Sequence, residues 1–311
     1  MWQKAVAYLN VDIGVSGSDF EGNGVGSLAP LLVDASKTLK DPSGRSLYDA
    51  WHASRARNLK ERDESDAVTD YNLVETRIGS GSDYAALLDH AGVPVLDVSF
   101  VGPYGVYHSA YDDFYWMEHF GDPGFRYHTL MAQLLGVVAL RLSNADFLPY
   151  DFASYGAHIR DYLAALGGKG DLGKLELDSL NGAIDEFERS GKKLDESVQT
   201  ALASGTLEPL FADQINRGMM TIERNWLIPG GIPGRPWYKH ALYACRQTYA
   251  HLELPGLTEA LESGNLPLAQ RQGAILEAVL RNNAELVNQL NRQLACGADL
   301  MRQREPLCSA H

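Results

Sequence analysis

Cysteine is scarce: the 311 residues hold three, Cys245, Cys296 and Cys308, with no C-x-x-C pair among them. An odd number confined to the C-terminal third excludes a complete disulfide framework. Positive charge is in deficit, 27 Lys and Arg against 40 Asp and Glu, giving a net charge of -13. That sign is wrong for a protein that lives on phosphate backbones or anionic lipid, so nucleic acid is not an expected partner. Long apolar runs are missing as well. The most apolar segment, about Leu130 to Leu142, is interrupted by Gln133 and Arg141 and falls short of the ~20 residues a membrane span needs; it reads as a buried helix. The opening residues, Met1 to Val6, show no charged, apolar and small-residue succession, so no signal peptide is expected in this chain. No Asn-x-Ser/Thr acceptor occurs, and neither does a G-x-S-x-G elbow, a P-loop or an H-E-x-x-H. The commonest local signatures of N-glycosylation, hydrolase triads, P-loop nucleotide binding and zincins are therefore absent.

What is present is an ordinary globular balance, 45% hydrophobic and 22% charged, in a chain long enough for one large or two ordinary domains. Residues 1 to about 150 mix short apolar runs with Gly-rich turns, whereas 151 to 311 show helical periodicity interrupted by one Pro/Gly-rich stretch. The pattern predicts an α/β half with a mainly parallel sheet and flanking helices, followed by an all-α bundle. Ala5 to Asp12 and Gly92 to Phe100 read as buried strands, with Asp12 at the end of the first. Helices are expected over 27–39, 84–90 and 125–143, then over 175–190, 194–202, 207–224 and 266–302. The charged stretch from Trp51 to about Tyr71 has no strong period and reads as an exposed excursion. Trp226 to His240 is too rich in Pro and Gly for helix and too aromatic for a solvated linker, which predicts an ordered, packed loop.

In open α/β sheets ligands gather at the carboxyl ends of strands. That singles out Asp12 and the loop carrying His108, a hard carboxylate and a borderline imidazole of the kind zinc takes. A strand-end Asp also caps turns, and a His beside tyrosines also serves as a hydrogen-bonded loop residue, so both readings stand on the residues alone. The Gly79-Ser80-Gly81-Ser82 turn could present backbone N–H groups to an anionic group, or simply lead into a helix cap at Ser82 or Asp83. Asp112 and Asp113 look like first-turn acids of a helix.

Several segments in order, Ala7-Tyr8-Leu9-Asn10-Val11-Asp12, Gly79-Ser80-Gly81-Ser82-Asp83-Tyr84, Gly105-Val106-Tyr107-His108-Ser109-Ala110-Tyr111-Asp112, Gly121-Asp122-Pro123 with Tyr127-His128, Leu148-Pro149-Tyr150-Asp151 and Arg235 to Ala244, closely resemble the C-terminal part of the glutamate carboxypeptidase II family. This is the branch of M28 zinc peptidases that also contains the transferrin receptor. The resemblance implies a co-catalytic two-zinc peptidase in which a Glu acts as general base on a metal-bridging water, with Asp12 and His108 as metal ligands. Tyr107 and Tyr249 match tyrosines of the substrate pocket, and Ser82 matches a loop that contacts substrate. It implies further that the general base, the bridging Asp and the other ligands precede the Asp12 motif, so that no catalytic residue lies in this chain and the isolated 311 residues are expected to be inactive.

The family's glutamate-reading Lys corresponds to Thr248, and its arginine patch falls on Asp97 and Ser99, which favours a neutral or apolar C-terminal residue in a peptide substrate. The helical half corresponds to a dimerisation domain, implying a homodimer. Relatives are extracytoplasmic, either secreted, periplasmic or membrane-anchored. A non-catalytic binding protein of the receptor type, keeping the fold and dimer but not the metals, is the competing reading.

Overall fold

The computed structural model describes residues 4–61, 67–167, 172–204, 208–246 and 248–302, with side chains described as far as residue 296. Cys308 and residues 62–66 of the charged stretch lie outside this range. The chain divides into two compact units, one formed by residues 1–144 with 243–252, the other by 145–242 with 253–311.

The first unit is built on a three-stranded sheet in the order β1 (Tyr8–Asn10), β3 (Val95–Val101), β2 (Asp19–Gly24). β1 runs parallel to β3 with Asn10 opposite Asp97, and β2 runs antiparallel with Phe20 opposite Phe100. The expected mainly parallel sheet is therefore, among the described residues, a small mixed one. The cause is local: the Val11–Ser18 link is too short for the crossover a parallel return requires, so β2 must reverse direction. On β3, Leu96, Val98 and Phe100 are buried on one face while Asp97, Ser99 and Val101 on the other are half-buried, the alternation of a strand with one core face that only the buried Val95 departs from.

Helices α1 (Ala29–Lys37), α2 (Leu47–Glu61), α3 (Asp70–Leu73), α4 (Tyr84–Ala91), α5 (Phe114–Trp116) and α6 (Arg126–Ser143) complete this part of the chain, and α1, α2, α4 and α6 pack on the strands. The stretch from Trp51 is thus a helix rather than an excursion as far as Glu61, and Trp51 is buried edge-on against Phe20, ring centroids 4.9 Å apart. Only Leu47, Trp51, Ser54 and Leu59 turn inward on α2, too thin a stripe to show as a period among so many charges. Gly22 lies beneath this ring: a Cβ there would come within 2.9 Å of it. Asp122 starts α6 by accepting from the backbone N–H groups of Arg126, Tyr127 and His128 and from the His128 ring at 2.8 Å. Burial alone would raise its pKa; the His128 ring and those three N–H groups outweigh it and hold the carboxyl below the ordinary Asp value. Asp113 is the N-cap of α5, accepting from Trp116 N–H at 2.8 Å, rather than a first-turn acid.

The second unit contains α7 (Ser154–Leu166), α8 (Asp178–Ala203), α9 (Pro209–Arg224), α10 (Pro255–Glu262) and α11 (Leu266–Arg302). The two helices expected over 175–190 and 194–202 are one, α8, which packs along α11. Between these helices Asn291 donates to the Ser190 carbonyl at 3.1 Å and accepts from Ser197 at 3.1 Å. Gly218 lets α9 approach α11 closely, since a Cβ there would stand 2.4 Å from a Leu290 methyl. The Trp226–His240 stretch is packed only in part: Trp226, Ile232 and His240 are buried and Leu227 bridges to His240, whereas Trp237 is exposed. His240 is fully enclosed, which pushes its pKa down to about 3 and keeps the ring neutral. The neutral ring accepts from Leu242 N–H at 3.2 Å. Asp195 on α8 is pushed up to about 7 by burial, with the charges of Asp151 and Glu196 adding to it.

Candidate functional site

The C-terminal end of β1 is where the first unit gathers its polar groups. Asn10 is buried, and its side-chain amide donates to Ser82 Oγ at 3.0 Å and to Asp97 Oδ1 at 2.7 Å. One amide therefore ties the end of β1 and the interior of the parallel strand β3 to the loop before α4. Asp12, two residues on, is exposed. Burial raises the Asp97 pKa, the Asn10 hydrogen bond opposes that rise, and the nearby Asp12 charge adds to it. Asp12, Asp97, Asn10 and Ser82 thus form one acidic and hydrogen-bonding edge, with no basic group among them.

The loop carrying Ser82 is held from the other side by a hairpin, β4 (Tyr243–Cys245) and β5 (His251–Glu253). Gly79 has φ +121°, and a Cβ on it would stand 2.8 Å from the Ala244 carbonyl oxygen. Ser80 Oγ reaches the Thr248 carbonyl at 3.5 Å. Tyr249, at the hairpin turn, is 84% exposed and so free to meet a ligand. The structure thereby joins the Ser82 loop and the Tyr249 hairpin, segments far apart in sequence.

His108 sits in the loop after β3 with φ 59°, a left-handed conformation uncommon for a side-chain-bearing residue. Its ring stacks on Tyr107, centroids 3.8 Å apart. Turns from Ser109 N–H to Val106 and from Asp112 N–H to Ser109 fix the loop, and Tyr104 OH donates to Asp112. His108 and Tyr107 are both exposed.

Among the described residues no group of three or more His, Cys, Asp or Glu stands where it could hold a metal ion. A zinc site needs at least three protein ligands, so Asp12 and His108 do not by themselves fit one. Asn10 is the residue of this cluster that sequence reasoning missed. The available signal was a polar side chain at the end of an apolar strand, and what concealed it was that both its partners are distant in sequence.

Comparison with known proteins agrees with this architecture. Residues 175–288 match the transferrin receptor-like dimerisation domain, which defines the second unit's class. The probable glutamate carboxypeptidase LAMP1 of Arabidopsis thaliana is 34% identical over 264 residues, covering 84% of this chain and 36% of that protein. The aminopeptidase NAALADL1 of Mus musculus is 31% identical over 307 residues, 91% of this chain and 40% of its own. An inactive zinc metalloprotease of Schizosaccharomyces pombe is 24% identical over 284 residues, 86% and 33% respectively. The chain belongs to the glutamate carboxypeptidase family that carries this dimerisation domain, and it spans less than half the length of these relatives. Among the described residues no helix is long and apolar enough to cross a membrane.

Proposed function

We propose that this chain is a portion of a zinc-dependent peptidase of the carboxypeptidase type, contributing one wall of the cleft and the dimerisation region. In this reading Asp12 and His108 each supply one ligand to a two-zinc centre that, when loaded, activates water for hydrolysis of a small peptide. Tyr107, Tyr249 and Ser82 meet the substrate, and Asn10 positions Ser82 and Asp97. The observation that carries the reading is the Asn10 bridge, which sets Ser82 and Asp97 beside the Asp12 strand end. Asp97 where the family has arginine makes this edge acidic and disfavours a carboxylate-bearing side chain at that position. The helical region pairs two copies of the chain. We place it in an extracytoplasmic setting, as the family resemblance implies.

With the ligand set incomplete in the described residues, the chain alone binds zinc weakly and hydrolyses nothing. The test is a zinc titration followed by NMR on the intact protein, with elemental analysis after dialysis and sedimentation to count chains. Selective perturbation of the Asp12 and His108 signals, little retained zinc and a dimeric mass are expected. Close to two zinc ions per chain after dialysis, or no perturbation at either residue, refutes the assignment. A non-catalytic dimerising protein is the second reading, favoured by the lack of a three-ligand group among the described residues and by the inactive yeast relative; a dimer indifferent to zinc supports it.

A further inference from the structure

Residues 78–125 contain seven Asp and Glu and no Lys or Arg. Within that run Tyr111, Phe114, Tyr115 and Phe120 are 75%, 68%, 62% and 66% exposed. Neither α5 nor the π-helical turn Met117–Gly121 that follows it buries a side chain. The segment is nonetheless held in one geometry. Asp113 caps α5, Asp122 N–H donates to the Met117 carbonyl at 2.8 Å, and the His119 ring donates through Nδ1 to the Tyr115 carbonyl at 2.9 Å. That last bond lays His119 on one face of Tyr115, centroids 4.0 Å apart, while Phe120 stands at 68° to Tyr115 with centroids 6.4 Å apart. Glu118 is exposed beside these rings, 3.9 Å from His119 Nδ1, and the exposed Asp112 and Asp113 open the same segment. Apolar rings gathered and fixed at a surface mark a contact site, and π-helical turns cluster at functional sites.

Charge decides what can cover them. The faces of aromatic rings attract a cation through their quadrupole, and so do the flanking carboxylates. A wholly apolar partner would bury Asp112, Asp113 and Glu118 without counter-charges, at a heavy desolvation cost. A second copy laid patch to patch would set the same carboxylates against one another, in a chain whose net charge is already -13. The basic residues that bound the run are engaged elsewhere: Arg77 approaches Glu75 at 3.8 Å, and Arg126 donates to the Pro42 carbonyl at 2.7 Å. A guanidinium group fits best, because it stacks on a ring while its fork of N–H groups pairs with a carboxylate. We propose that the Tyr115–His119–Phe120 cluster is a docking surface for an arginine-bearing segment of another polypeptide, its guanidinium groups lying on Tyr115 and Phe120 and pairing with Glu118 and the Asp112–Asp113 pair. The surface is independent of the peptidase reading, which uses Tyr107 and His108 earlier in the loop.

The test is NMR titration of the intact chain at pH 8 and physiological salt with the peptide acetyl-Gly-Arg-Gly-Arg-Gly-amide, and with the same peptide carrying citrulline, the uncharged isostere, in place of arginine. Saturable shifts at Tyr115, His119 and Phe120 are expected with the arginine peptide, and binding at least about fivefold weaker with citrulline. Tyr115→Ala and Phe120→Ala, both at exposed positions, should each weaken binding about two- to fivefold, the contribution of a cation over an exposed ring. Glu118→Gln should weaken it by a similar factor. Glu176→Gln removes the same charge from an exposed position in the other unit and should leave binding unchanged. The proposal is overturned if no saturable shift appears at about 10 mM peptide, or if the citrulline peptide binds as well as the arginine one. It is overturned equally if Glu176→Gln weakens binding as much as Glu118→Gln while both ring variants bind normally, which would show only diffuse attraction to an acidic protein. Loss of a dimeric mass in sedimentation of Tyr115→Ala would assign the patch to a second copy instead, and so overturn it too.

Discussion

Two glycines in one loop offer an internally controlled experiment on how the site is held. Gly79 and Gly81 have φ +121° and +104°, in the region that side-chain-bearing residues avoid, so alanine at either position carries backbone strain. That strain is of the order of 1–3 kcal/mol. At Gly81 a Cβ would meet nothing within 4 Å, but at Gly79 it would stand 2.8 Å from the Ala244 carbonyl oxygen and 2.9 Å from its nitrogen. Both neighbours are backbone and cannot rotate away. Forcing them apart adds about 1–3 kcal/mol by analogy with overpacking. Gly79→Ala should therefore be less stable than Gly81→Ala by about 1–3 kcal/mol in urea unfolding. In Gly79→Ala, amide exchange should also accelerate at Tyr243 to Cys245. Equal midpoints for the two variants, or acceleration in both, would show that strain alone matters and that the hairpin does not bear on the loop.

Three further outcomes follow from the same geometry. Asp122→Ala should cost about 2 kcal/mol, the loss of a cap and its charged hydrogen bonds. Because the folded Asp122 pKa is lowered, that contribution is present above about pH 4, the unfolded value, and disappears as pH falls through the lower folded one; urea midpoints of the two proteins converging only in acid would bear this out. Asp195 has the opposite sign. Its folded pKa is raised to about 7, so the folded state holds a proton the unfolded chain has lost, and stability declines as pH rises from about 4 to 7. Asp195→Asn should flatten that decline and stabilise the protein at pH 8, and a parallel pH profile would contradict the assignment. Gly218→Ala should destabilise by about 1–3 kcal/mol through the Leu290 methyl, and a neutral result in thermal unfolding would mean that Leu290 has room to turn aside.

Much of the first unit was legible because its strongest signals are local. The apolar run of β3 and the helix before the Asp41-Pro42-Ser43-Gly44 stop need no distant partner to be recognised. β2 was not legible, since Asp-Phe-Glu-Gly-Asn-Gly has turn composition and becomes a strand only through pairing with β3 on one side and the Glu75 backbone on the other. The unity of α8 was hidden by Gly191, which reads as a break but sits where a Cβ would press on the Ala153 backbone; packing, not propensity, carries the helix through. At the site, Asp12 and Ser82 could be nominated from strand ends and loop composition. Their meeting through Asn10 depends on parallel register, and the left-handed turn at His108 on loop closure, neither of which is written in local sequence.

The hairpin at 243–252 belongs to the first unit although the chain has by then spent a hundred residues in the second. Exchange of the helical unit alone between relatives by recombination would thus require three junctions, near residues 145, 243 and 253, rather than one. A single cut near residue 150 would strip the Ser82 loop of the backbone that Gly79 rests on. Inheritance of the hairpin and of the helices is coupled by threading, so a variant at Tyr249 travels with the helices on either side of it.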